Sequence, residues 1–103
     1  MAFKIVWSRQ AREDLLEIVS FIAQDNQALA ESFGYLLMSK VDSLSEFPKL
    51  GRVVPELQDQ DVRELIFRSY RIIYRVVEPQ RFVAIARVWH AARGAPEVPE
   101  TES

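Results

Sequence analysis

The chain has 103 residues, 49% hydrophobic and 27% charged, with a formal net charge of −2, the composition of one globular domain able to bury its own core. It holds no cysteine, one histidine and three glycines, which excludes a disulfide framework, a thiolate or multi-histidine zinc centre, a cysteine nucleophile, a phosphate-cradling loop and a dinucleotide fingerprint. The longest run without a charge, Ser32 to Ser39, is far short of the ~20 apolar residues that span a bilayer. Early charges also interrupt any signal peptide, so a cytoplasmic protein with no membrane partner is expected.

Phe3 to Trp7 is a short run of strand formers that ends at Ser8, a good helix N-cap. Ala11, Leu15, Ile18 and Ile22 then recur at helical spacing, with Arg12, Glu13, Asp14 and Glu17 read as lying off that stripe. Asp25-Asn26 interrupts the pattern and offers a second N-cap. The next helix carries Ala30, Phe33, Leu37, Val41 and Leu44 on one face and stops at Pro48. Gly34 inside it suggests close approach of the first helix. A turn this short makes the two helices an antiparallel hairpin.

Residues 48–61 form a connecting loop with Pro48, Gly51 and Pro55, and a brief strand at Arg52-Val53-Val54 is only weakly signalled. Three strands follow, Val62 to Arg68, Tyr70 to Val77 and Phe82 to His90, the last two paired as a hairpin. Along the middle strand, Tyr70, Ile72, Tyr74 and Val76 share the face expected to pack on the helices. Arg71, Ile73, Arg75 and Val77 share the face expected to be exposed. The fold class is therefore α+β, in the order β-α-α-β-β-β, with a helical hairpin on one face of a small, mainly antiparallel sheet. Residues 1–93 form the domain, and 94–103, with two prolines and three acids, a flexible tail.

Charge is unevenly spread. Between Val62 and Arg93 there are seven arginines and no lysine against Glu64 and Glu78, a surplus of five positive charges inside an acidic chain. Arginine presents a planar fork suited to carboxylate or phosphate, so the cluster suggests a face that meets an anionic partner. For any arginine taken singly, pairing with the chain's own acids is the favoured explanation; for the cluster, function is.

With metal, thiol and cofactor chemistry set aside, and no cofactor expected, acid–base and electrostatic chemistry remains. Metal-free RNA cleavage needs a base for the ribose hydroxyl, cations for the phosphorane and an acid for the leaving oxygen. His90 at the end of the last strand and Arg71 near the start of its neighbour are the candidates, with Tyr70, Tyr74 and Glu64 in reach. A hydrogen-bonded strand-end histidine and a core Tyr74 are the competing structural readings.

Several ordered motifs carry a resemblance. W-S-x-x-A-x-x-D-L spans Trp7, Ser8, Ala11, Asp14 and Leu15. S-L-x-x-F-P-x-L-G-R spans Ser43, Leu44, Phe47, Pro48, Leu50, Gly51 and Arg52. V-R-E-L begins at Val62, Y-R-I-I-Y-R-V at Tyr70 and V-W-H-A-A-R at Val88. Together, from about Phe3 to Arg93, they resemble the RelE/ParE superfamily of toxins from type II toxin–antitoxin modules. The resemblance implies a growth-inhibiting toxin neutralised by a cognate antitoxin, which an apolar groove beside the helices would receive. It also implies one of two targets. ParE-like members poison DNA gyrase; RelE-like members cut mRNA on the ribosome, and there Arg71 and His90 resemble catalytic positions, with Tyr70 a further candidate from its place on the strand. Arg63, Arg71, Arg75, Arg87 and Arg93 are the expected contacts with target or antitoxin. Three lysines, a sequence pI near 5.4 and acids at Glu56, Asp59 and Asp61 suit a ribosomal RNA surface poorly. Gyrase is therefore the favoured target, the ribosome with mRNA the alternative, and an inactive binding domain of the same fold the third reading.

Overall fold

The computed structural model describes residues 2–99. In chain order it comprises β1 (Lys4–Trp7), α1 (Arg9–Asp25), α2 (Gln27–Asp42), β2 (Arg52–Val53), β3 (Val62–Phe67), β4 (Tyr70–Val77) and β5 (Phe82–His90). The strands form one sheet in the order β1-β5-β4-β3-β2. β1 runs parallel to β5, and every other neighbouring pair is antiparallel. The hairpin of α1 and α2 covers one side, which gives the two-layer α+β architecture expected. Among the described residues no helix is long and apolar enough to cross a membrane.

Local sequence sets the helix ends. Ser8 Oγ accepts the Ala11 N–H at 3.0 Å, and Asn26 Oδ1 accepts the Leu29 N–H at 3.0 Å. Asn26 also donates its own N–H to the Ile22 carbonyl at 3.0 Å, so one extended residue ends α1 and starts α2. α2 stops at Asp42, earlier than Pro48 had suggested, because a 3-10 turn at Ser43–Ser45 tightens the chain and swings Leu44 into the core. A Cβ built on Gly34 would meet Val19 Cγ2 at 3.7 Å, an ordinary contact, so the helices do not require glycine there.

The main core lies between helices and sheet. Phe33, Leu37, Val41 and Leu44 meet Leu65, Ile72, Tyr74, Val76, Val83, Ile85 and Val88, with Trp7, Leu15 and Ile18 packed around them. Tyr74 is fully buried and its hydroxyl accepts the Gly51 N–H at 2.9 Å. Tyr74 is a core residue.

The other sheet face departs from expectation. Ile73 is fully buried and Arg71 is 7% exposed, not solvated. Val54, Val62, Ile73 and Trp89 form a second, smaller core, and Val98 packs on it. Alternation along β4 is correct; what covers this face comes from segments that carry no periodic signal. One is the stretch after β2. The other is 94–99, expected as tail, where Pro96 is buried and the Trp89 indole N–H donates to the Gly94 carbonyl at 3.1 Å. Residues 100–103 of that expected tail lie outside the described residues.

β5 carries an irregularity that matters for the site. Ile73 pairs with Arg87 and Tyr74 with Ile85, leaving Ala86 as an extra residue. The bulge reverses which side alternate residues face beyond it. Ser8 holds it, its Oγ donating to the Ala86 carbonyl at 3.1 Å while its N–H donates to Ile85 O at 3.0 Å.

Candidate functional site

The strand register decides which candidates meet. Tyr70 pairs with His90, and Arg71 pairs with Trp89. Neighbouring residues on a strand point to opposite faces, so Tyr70 and His90 lie on the helix side while Arg71 lies on the outer side. The structure brings the first two together and takes Arg71 away.

On the helix side, the Tyr70 and His90 rings meet edge to face with centroids 5.1 Å apart. They line a cleft of about 250 Å3 with Asp14, Glu17, Ile18 and Phe21 of α1, Val88 and Arg93. His90 Nδ1 accepts the Ala92 N–H at 3.0 Å, which puts the proton of the neutral ring on Nε2. Arg93 stacks its guanidinium 3.8 Å from the Trp89 ring centroid and is exposed. This cleft holds an imidazole and a phenol beside the Asp14 and Glu17 side chains, while the Arg93 guanidinium is engaged by Trp89, which faces the outer side.

On the outer side, Arg71 is part of a carboxylate network. Its Nε donates to Glu64 Oε1 at 2.5 Å, and Nη1 and Nη2 donate to Glu56 at 2.9 and 2.7 Å. Glu64, with no exposed side-chain surface, also accepts from Arg52 Nε at 2.6 Å. Hydrogen bonding from Arg71 holds the Glu56 carboxyl at about 2, well below its ordinary value, and the hydrogen bonds that Arg71 donates to Glu56 and Glu64 raise Arg71 further. Next along β4, Arg75 Nη1 reaches Asp59 Oδ2 at 3.2 Å. Asp59 is also lowered, first by the Asp61 N–H it accepts and then by Arg75. Burial pushes the Tyr74 hydroxyl up.

Arg87 and Arg63 are likewise engaged. Arg87 and Asp14, each with 10% of its side chain exposed, pair through Nε–Oδ2 at 2.9 Å and Nη2–Oδ1 at 3.0 Å. Asp14 Oδ2 also accepts the Val88 N–H at 2.9 Å, on the edge of β5 that β1 leaves uncovered. Arg87 Nη1 donates to the Glu97 carbonyl at 3.0 Å. Arg63 Nη1 donates to the Gly51 carbonyl at 2.9 Å, whereas its buried Nε makes no hydrogen bond among the described residues. Of the five arginines expected to meet a partner, Arg71, Arg75 and Arg87 thus bind the chain's own acids, and Arg93 is the exposed one.

Sequence reasoning missed Asp14 and Glu56. Asp14 lies three residues after Ala11 and four before Ile18, so its spacing places it on the apolar face of α1 and not off it. Glu56 sits in an aperiodic loop, where no local pattern indicates a partner 15 residues away in sequence. Among the described residues no three His, Cys, Asp or Glu side chains group as metal ligands.

Comparison with known proteins agrees with this architecture. A family model described as the ParE toxin of the type II toxin–antitoxin system, parDE, matches residues 5–94. A curated relative, Toxin RelE2 of Caulobacter vibrioides, is 35% identical over 91 residues, covering 87% of this chain and 97% of that protein. The chromosomal ParDE toxin–antitoxin system of P. aeruginosa superposes with a TM-score of 0.70 at 20% identity, covering 86% of this chain and 96% of that one. The toxin–antitoxin complex RelBE2 of Mycobacterium tuberculosis superposes with a TM-score of 0.57 at 22% identity, covering 87% and 99%. With almost its whole length inside that model and a hairpin-on-sheet fold shared with these structures, the chain belongs to the ParE toxin family of type II toxin–antitoxin systems.

Proposed function

We propose that this chain inhibits growth by poisoning DNA gyrase and is neutralised by a cognate antitoxin. One observation carries the choice of target: Arg71 lies on the opposite face of the sheet from Tyr70 and His90, and is bound by Glu64 and Glu56. A metal-free nuclease needs base, acid and charge stabiliser around one phosphate, and this arrangement divides them. The acidic segment at Glu56, Asp59 and Asp61 supports the same reading, since it repels an RNA backbone.

The antitoxin reading rests on similarity and on surface. The structural neighbours are toxin–antitoxin systems, and the hairpin leaves Leu16, Phe21, Leu29, Tyr35 and Leu36 between 41% and 76% exposed. Apolar surface on this scale is what an amphipathic segment covers. Incubating the purified chain with gyrase and supercoiled plasmid should yield gyrase-dependent cleavage complexes that added antitoxin suppresses. Cell-free translation should continue with intact mRNA.

A second reading, a metal-independent mRNA endonuclease, is favoured by one feature. Tyr70 and His90 meet in one cleft with Asp14 and Glu17 of α1, so groups able to act as acid and base are adjacent without Arg71. Cleaved mRNA in the translation assay, with gyrase unaffected, would establish it.

A further inference from the structure

Two carboxylates of the segment between β2 and β3 sit on two arginines of the outer sheet face. Glu64 fixes the Arg71 guanidinium through Nε, so the Nη1/Nη2 fork presents a pre-oriented bidentate site, which Glu56 fills. Arg75, on the same face of β4, takes Asp59. The two acids are three residues apart, and Gln58 between them has a φ of +52°, the left-handed region that a non-glycine residue adopts at a cost.

No side chain from Pro55 to Asp61 is buried, whereas Val54 and Val62 on either side belong to the second core. Ion pairs, with backbone bonds such as Val76 N–H to Asp61 O at 2.8 Å, hold the segment. Such a segment can lift without opening a core.

We propose that Arg71 and Arg75 form a recognition site for two carboxylates of an acidic peptide, masked in the free chain by Glu56 and Asp59. The occupant seen is a carboxylate pair, and its geometry defines the ligand. Glu64 and Asp61 beside the arginines disfavour a continuous polyanion such as RNA, whereas a peptide with two spaced acids replaces the loop acids one for one. The site is autoinhibited because tethered carboxylates act at millimolar effective concentration, so an incoming peptide must displace them.

The test uses the full chain with Glu56→Gln and Asp59→Asn together, which keep side-chain size and remove charge. Fluorescence anisotropy at low salt follows a labelled, otherwise neutral peptide carrying two glutamates three residues apart, and in parallel a labelled oligouridine. The double variant should bind the peptide at least about tenfold more tightly than the parent chain. Adding Arg75→Ala, or replacing the peptide's glutamates by glutamine, should remove the gain. A folded double variant with no gain for the peptide, or with a gain for the oligouridine alone, overturns the assignment. Should the double variant not fold, Asp59→Asn alone, at a carboxylate 44% exposed, must still give an Arg75-dependent gain, and its absence overturns the assignment equally.

Discussion

Glu64 and Arg71 face each other at 2.5 Å on adjacent strands, the carboxylate with no exposed side-chain surface and the guanidinium with 9%. Two ions taken this far out of water persist only because further partners complete them, Arg52 for the glutamate and Glu56 for the arginine. This network engages Arg71, the candidate cation of the sequence, from two sides.

Removing one member should be severe. Glu64→Ala leaves Arg71 buried with Glu56 alone and should destabilise the fold by about 3–5 kcal/mol, whereas Glu64→Leu with Arg71→Met should recover most of that loss. Urea unfolding at neutral pH reads both. Equal instability of the single and double variants would show that the pair is not the source of the cost.

The glycines should respond with opposite signs. Gly34→Ala places a methyl at ordinary contact distance from Val19 and removes a helix-interior glycine, a gain of up to ~1 kcal/mol. Gly51→Ala drives a Cβ into the Glu64 carbonyl and to 2.8 Å from the Tyr74 hydroxyl, a loss of about 1–3 kcal/mol. Thermal melts of the two variants should therefore shift in opposite directions.

Acid should weaken the fold through Glu56. Its carboxyl is lowered from 4.5 to about 2 by Arg71. The stabilisation it contributes is therefore complete above about 4.5 and is lost as pH falls through about 2. The slope of stability against pH in that window should be shallower in Glu56→Gln. An unchanged slope would place the acid sensitivity elsewhere.

In the main core, Leu37 is fully buried, so Leu37→Ala should cost about 2–5 kcal/mol, a large part of a small domain's stability. A near-neutral change in the denaturation midpoint would mean that the α2 face collapses into the space left.

Growth assays on folded variants discriminate the two targets. Gyrase poisoning requires no proton transfer at His90, so His90→Ala and Tyr70→Phe should retain toxicity, while Arg93→Ala, at the exposed arginine beside Trp89, should reduce it. A loss of about 10²–10⁴-fold in mRNA cleavage for folded His90→Ala would instead mark a general acid or base. Arg71→Ala is uninformative without a stability measurement, because it also leaves the buried Glu64 with Arg52 alone.

Local pattern fixes the helix starts and the inward-facing stripes. Ser8 and Asn26 start their helices because short polar side chains cap the residues just after them. The stripe from Ala30 to Val41 faces inward because helical spacing puts it on one side. Period-two alternation likewise assigned Ile72, Tyr74 and Val76 to the helix side. Tertiary structure alone decided the site. Arg87 meets Asp14 across 73 positions of sequence, and Arg71 meets Glu56 across 15. The Ala86 bulge sets which side of the sheet Arg87 to His90 face. The covering of the outer face by the segment after Val54 and by Pro96 and Val98 is equally non-local. Such partners follow from strand register and chain crossing, and those are fixed by packing the whole domain, not by any window of neighbouring residues.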